Sequence, residues 1–238
     1  MYKTKTKKTT GKFRFGNNLM GQEKYYGTYI IPDEINKHIA VDLGSNMGFF
    51  VAEHHDTFKS LYAIEASYEN FVETLKRVIA LNLKEGKAEN VVCFNLAAGK
   101  ETGEIIKVYK HDSNGNSVSP MTETEMFTSQ YPQWDESKET YHKVTSISLE
   151  GLYNLLGVDY IDYLKIDIEG AEYPFLLGQD LSRIGSLALE LHGTLGPAKK
   201  EEMKKYLERD FDVYHTQYDD PAPGHSVITY INKTLSTK

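Results

Sequence analysis

The stretch YLKIDIEGAEYPFL, residues 163–176, crowds Lys165, Asp167, Glu169 and Glu172 into eight positions. Carboxylates so close together suit two kinds of chemistry: accepting a proton from a substrate, or offering hard oxygen ligands to a divalent cation. Side chains alternate along an extended segment, so Lys165, Asp167 and Glu169 share one face until the strand ends. Glu172 falls in the first turn of the following helix. A negative charge there is favoured by about 0.3–1 kcal/mol, and that stabilising role is the simpler expectation for it. Downstream, LALELHG carries His192, with Glu190 two positions earlier on the same side. Histidine titrates in a range suited to base work, so Asp167, Glu169 and His192 are the candidate proton acceptors. With Glu190 they could also gather Mg²⁺, although no spacing among them is diagnostic of a metal.

A second cluster lies in VDLGSNMGFF, where a strand ends at Asp42 and a helix starts near Met47. Gly44 and Gly48 allow positive φ and close approach of backbone to a ligand. The spacing puts Asn46 where a dinucleotide-binding loop carries its second glycine, which argues against NAD or FAD. No Gly-Lys-Ser/Thr ending follows, so nucleoside triphosphates lack support as well. The Asp-x-Gly-x-Asn-x-Gly arrangement resembles motif I of S-adenosylmethionine-dependent methyltransferases. Asp42 would place negative charge near a ligand bearing a sulfonium and an ammonium. Glu65, at the end of the next strand, is suited to accept both hydroxyls of a ribose.

These side chains need a scaffold, and from Ile39 onward short apolar runs alternate with helix-period segments, the pattern of βαβ units. HIAVDLG, SLYAIEA, NVVCFNLAAG, YIDYLKID, SLALELHG, FDVYHTQ and SVITYINK read as seven strands. The last two follow one another with no helix between them, so the expected architecture is a mostly parallel α/β sheet with one antiparallel edge strand and helices on both faces. In SYENFVETLKRVIALNL, Ser67 is a plausible N-cap, and Phe71, Leu75, Val78, Ile79 and Leu83 recur at helical spacing. GEIIKVYK suggests a hairpin or short edge pair. Residues 111–140 are polar and hold Phe127, Tyr131 and Trp134, which suggests a substrate-binding insertion or a surface excursion.

The chain of 238 residues, 40% hydrophobic and 26% charged, has a globular composition and a length that one domain accommodates. The expected division is a basic lead-in over 1–38 and a single domain over 39–238. Six basic residues and no acid fall within residues 1–14, so a total of −7 leaves −13 on the rest. An acidic body repels phosphate backbones and makes nucleic acid a poor main partner. No apolar run is long enough to span a bilayer and no secretory signal is readable, so the cytoplasm is the expected location. The lone Cys93 cannot form an internal disulfide and suits a small buried position.

IAVDLGSNMGFF, LYAIEASYENFVETL, FNLAAGKETGEI, IDYLKIDIEGAEYPFLLG and LALELHG occur in the order seen in the FkbM family of methyltransferases, and the chain resembles that family over residues 39–193. The most specific part is LKIDIEGAE. Family members often carry Pro after the second-strand acid, where this chain has Ala66. The resemblance implies a Rossmann-like seven-stranded methyltransferase sheet, S-adenosylmethionine as cofactor, and O-methylation of a hydroxyl on a sugar or other small molecule. It implies that Asp42, Gly44, Ser45, Asn46, Gly48, Glu65, Ala66, Ser67 and Asp167 hold the cofactor, with Ala97 and Ala98 leaving room for adenine. Asp167 and Glu169 are then expected to face the transferred methyl. A binding subunit that keeps the fold without turnover is the alternative from another class, and a nucleic-acid 2′-O-methyltransferase the alternative within it.

Overall fold

Ile161–Ile166 (IDYLKI) is buried at every position, as expected for a strand covered on both faces of a parallel sheet. The computed structural model describes residues 29–86, 88–109, 141–193, 196–221 and 224–236. The basic tail, Tyr25, Tyr26 and the aromatic residues of the 111–140 insertion lie outside the described residues.

The main sheet has seven strands: β1 (Ile39–Leu43), β2 (Ser60–Ile64), β3 (Val91–Phe94), β7 (Ile161–Ile166), β8 (Ile184–Leu191), β9 (Phe211–Asp219) and β10 (Ser226–Asn232). Their order is β3-β2-β1-β7-β8-β10-β9. β1 pairs in parallel with both β2 and β7, so the strand order reverses at β1, the position where doubly wound sheets open a ligand crevice. Helices α1 (Phe49–His54), α2 (Tyr68–Glu85), α3 (Leu149–Leu156), α4 (Glu172–Leu176), α5 (Pro197–Leu207) and α6 (Lys233–Ser236) complete the described elements.

The sheet is mostly parallel, as expected, but the antiparallel strand is not the edge. β10 runs antiparallel to β8 and β9 and lies one place in, leaving β9 outermost. A hairpin strand can occupy that slot because β10 is apolar enough to be buried throughout, whereas β9 is exposed at most positions.

NVVCFNLAAG is also not one strand. It breaks at Asn95, whose side-chain amide donates to the carbonyls of Glu65 and Ala66 at 2.8 and 3.0 Å. The continuation, β4 (Ala97–Ala98), joins β5 (Ile105–Tyr109) and β6 (Tyr141–Ile147) in a second sheet of order β4-β6-β5. GEIIKVYK thus pairs antiparallel with β6, across the insertion, rather than within itself.

On α2 the Ser67 cap is present, its side chain accepting from the Asn70 amide. The buried face differs from the expected one: Thr74, Val78 and Leu81 are buried, Ile79 is 55% exposed and Leu83 is 85% exposed. Thr74 sets this rotation, donating to the carbonyl of Asn46 at 2.8 Å and sitting against Gly48. Cys93 is only partly buried, and burial raises its thiol pKa to about 11, well above the neutral range.

The lead-in packs on the body. Tyr29 and Ile35 belong to the apolar cluster around Phe50, Phe58 and Tyr163. Buried Asp162 accepts from the backbone amides of His38 and Ile39 at 3.2 and 2.8 Å, fixing where β1 begins.

Candidate active site

The loop after β1 turns through three left-handed residues, Gly44 at φ 79°, Asn46 at 50° and Gly48 at 75°. At Gly44 glycine is obligatory, because a Cβ would lie 1.8 Å from the carbonyl oxygen of Asp167. The loop therefore sits directly on the end of β7. Asn46, a residue type that tolerates this backbone region, donates its amide to Glu65 at 2.7 Å.

Glu65 ends β2 as expected and is buried. The amides of Asn46 and Ser67 donate one to each carboxylate oxygen, at 2.7 and 2.8 Å, so each oxygen keeps accepting capacity. Burial outweighs these donors and raises its pKa to about 7.

Two clefts meet at Gly44, Asn46 and Asp167, which line both. The larger, with about 810 Å³ of space counted out to its open mouth, is walled by Ile64, Glu65, Ala66, Leu96 and Ala98 on one side. Glu169, Glu190, His192 and His225 wall the other. The smaller is lined by Tyr29, Ser45, Phe50, Glu53, His54 and Lys165. The Ser45 hydroxyl there is buried without a hydrogen-bond partner. His54 has its pKa lowered to about 4 by burial and is neutral at pH 7.

Several expected contacts are corrected. Asp42 lines neither cleft; it is fully buried, 2.9 Å from the Lys165 ammonium. Lys165 is buried too and stays charged, because Asp42 and Asp167 together outweigh its desolvation. It donates to the Gly44 carbonyl at 2.8 Å, so Asp42 acts on the loop through Lys165 and not on a ligand. Ala97 is fully buried in the cluster with Val108 and Val144, while Ala98 faces the cleft. Gly48 and Ser67 line neither cleft; the Ser67 hydroxyl accepts from the Asn70 amide as the cap of α2.

Asp167 and Glu169 do face the larger cleft. Burial raises the Asp167 pKa to about 6, with the Lys165 ammonium opposing. Glu169 has left the strand, at φ 56°, and its oxygen lies 3.3 Å from His192 Nε2. That hydrogen bond holds its pKa below the ordinary value.

His192 sits between two carboxylates, with Nδ1 2.9 Å from Glu172 and Nε2 3.3 Å from Glu169. Burial works against its charge, yet Glu172 and Glu169 prevail and raise its pKa to about 11. A protonated imidazole has no lone pair to accept a substrate proton, and a metal would have to displace its proton to bind. Ligand atoms of Asp167, Glu169 and His192, and of Glu190, His192 and His225, do lie within 4.8 Å of one another, and both groups depend on this cation. The cluster is an ion-pair network, and no metal ligands are assigned in it.

Glu172 is more than a helix-end charge: fully buried, one of its oxygens also accepts from the amides of Ile168 and Gly170. The Tyr29 hydroxyl, with one proton to donate, lies within hydrogen-bond reach of both Asp167 at 2.9 Å and Glu190 at 3.1 Å. His225 follows a turn with no chemical pattern of its own, so nothing local in the sequence marks it.

The chain matches the methyltransferase FkbM domain family over residues 38–213. Among solved structures it is similar to methyltransferase FkbM from Methylobacillus flagellatus KT, at 14% identity and a TM-score of 0.52, over 87% of this chain and 46% of that one. The chain thus spans less than half the length of that structure. It is also similar to an rRNA methylase from Streptococcus thermophilus, at 12% identity and a TM-score of 0.47, over 83% and 89% of the two chains. A third, M. capricolum TrmK in complex with S-adenosyl-homocysteine, has 11% identity and a TM-score of 0.42 over 84% and 64%. No curated protein matches the sequence. No helix among the described residues is long and apolar enough to cross a membrane. With the family match running from the start of β1 into β9 and a Rossmann-like sheet carrying the loop and the carboxylates, the chain belongs to the FkbM methyltransferase family.

Proposed function

We propose that the chain is an S-adenosylmethionine-dependent O-methyltransferase acting on a hydroxyl of a small molecule, with a sugar or glycoconjugate as the favoured acceptor. The observation that carries this reading is Glu65, a buried carboxylate with accepting capacity that lines a cleft together with Ile64, Leu96 and Ala98. That pairing suits a ribose beside a flat apolar ring. The residues present fit the cofactor: Glu65 for its ribose, Ala66 and Ala98 beside its adenine, and Gly44, Ser45 and Asn46 along its amino-acid end. The unpartnered Ser45 hydroxyl in the smaller cleft gives that end a polar contact. The cofactor supplies a methyl group on a positive sulfur, so the chain's own tasks are alignment, exclusion of water and handling of one proton.

Asp167 is the residue assigned to that proton. It faces the cleft at the switch point, and its pKa of about 6 leaves it ionised at neutral pH yet basic enough to accept. His192, charged between Glu172 and Glu169, positions Glu169 and does not act as the base. The Asp167 and Glu169 carboxylates make the acceptor side acidic, which favours an uncharged hydroxylated acceptor over a phosphate-bearing one.

Calorimetric titration with S-adenosylhomocysteine, with NAD as control, tests the reading. Saturable binding to the wild type, at least tenfold weaker in Glu65→Ala, is expected. A folded wild type that binds no S-adenosylhomocysteine would sink the cofactor assignment. Binding without turnover on a panel of hydroxylated acceptors would favour a non-catalytic subunit.

A further inference from the structure

The Tyr29 hydroxyl lies 2.9 Å from Asp167 Oδ2 and 3.1 Å from Glu190 Oε2. A phenol has one proton to donate. If both carboxylates were ionised, one of them would face only the lone pairs of the phenol oxygen, a repulsive contact in a half-buried site. Both short contacts are attractive together only when one carboxyl carries a proton of its own and donates it to the phenol, which in turn donates to the other.

The geometry points to Tyr29 as a positioning residue that makes Asp167 and Glu190 share one extra proton, and so links the reaction cleft to its rim. The inference rests on the proposed methyl transfer for its use, though not for its existence. The arrangement competent for transfer is the one in which the shared proton lies on the Glu190 side and Tyr29 donates to Asp167, an anion facing the acceptor. As the acceptor oxygen bonds the methyl carbon, the carbon–sulfur electron pair goes to sulfur and the hydroxyl proton goes to Asp167. Glu190 then releases its proton at the rim. Asp167 passes its proton to the phenol oxygen as the phenol proton moves to Glu190, restoring the transfer-competent arrangement with no net gain of charge.

The surroundings suit each end to its part. Asp167 lies 3.9 Å from the Lys165 ammonium, with Glu169, His192 and Glu190 around it. The other oxygen of Glu190 meets the Tyr218 hydroxyl from β9 and Nδ1 of His225, each at 3.2 Å. The His225 side chain is 44% exposed, which gives the released proton a path to solvent. Tyr29 is held in place by other means than its hydroxyl: its ring packs edge-on to Phe50 and lies 5.1 Å from the Lys165 ammonium. Removing the oxygen alone should therefore leave the fold intact.

Infrared difference spectroscopy across an acid–base titration tests this without any acceptor. In a Glu65→Gln background, which removes the carboxyl raised to about 7, a protonated-carboxyl C=O band that depends on both Asp167 and Glu190 is expected above pH ~5, beyond the ordinary Asp and Glu range. Asp167→Asn and Glu190→Gln should each abolish it. Tyr29→Phe should lower its midpoint by about one pH unit, since the shared-proton state loses two hydrogen bonds and the fully ionised state loses one. A purely structural Tyr29 would leave the midpoint where it is. A band that is absent, unmoved or raised in Tyr29→Phe overturns the inference. Titration of the unmodified protein with S-adenosylhomocysteine separates the two readings. Binding beside an unmoved band overturns the shared proton alone; a Tyr29-dependent band in a protein that does not bind overturns the cofactor assignment and supports the shared proton.

Discussion

At Glu65, burial and two backbone donors act in opposite directions, and burial wins, placing the pKa at about 7. Ribose hydroxyls donate to a carboxylate, and a proton on Glu65 would oppose them. Affinity for S-adenosylhomocysteine is therefore expected to rise with pH through this range, being about tenfold weaker at pH 6 than on the alkaline plateau. Glu65→Gln should be weaker and flat between pH 6 and 8, and calorimetry at three pH values checks both. His192 gives the opposite pH sign, in stability. Its folded pKa of about 11 lies above the ordinary value, so its contribution is complete below about 6.5 and is lost as pH rises toward 11. Glu172→Ala leaves the buried imidazolium and two amides without their oxygen, and is expected to cost about 3–5 kcal/mol in urea unfolding at pH 7. In that variant the decline of stability between pH 7 and 10 should be shallower. The types and spacing of Asp167, Glu169 and His192 were legible in the sequence. What was not legible is that Glu172, seven residues from Lys165 and apparently only a helix-end charge, is the partner that fixes the protonation of His192.

Among the elements, α2 separates periodicity from packing. Val78 and Leu83 both belong to the helical repeat read from the sequence, yet Val78 is buried and Leu83 is 85% exposed, while Leu81, outside that repeat, is buried. Leu81→Ala is expected to destabilise by about 2 kcal/mol or more, and Leu83→Ala by no more than about 0.5 kcal/mol, measured by chemical denaturation. The existence of the helix follows from local signals: the Ser67 cap, the repeat, and Gly86 in the left-handed region at its end. Its rotation follows from the Thr74 contact with the glycine loop, a tertiary interaction that no window of sequence contains. The same holds for the segment after β3. Its apolar run reads as one strand, and only the Asn95 amide bonds to the 65–66 backbone divert Ala97–Ala98 into the second sheet.

In the whole molecule, stability is expected to grade across the main sheet from its centre to β9. β1, β7 and β8 are buried on both faces, whereas β9 is exposed along most of its length. Hydrogen exchange should therefore be slowest at β1, β7 and β8 and fastest, among the main-sheet strands, at β9; equal protection across the sheet would contradict this. The sequence by itself determined the α/β class, the seven main strands and the family, because buried strands, helix caps and the glycine loop are written in short windows of apolar pattern and residue type. It also placed Glu65 and Asp167 at strand ends, since strand ends are local. Tertiary structure alone decided which side chains meet: that Asp42 turns inward to Lys165, that β10 lies inside β9, and that Tyr29 reaches Asp167 and Glu190 from more than a hundred residues away. Those outcomes depend on the order in which strands pair and on the close fit of Gly44 against β7, and both are properties of the assembled sheet.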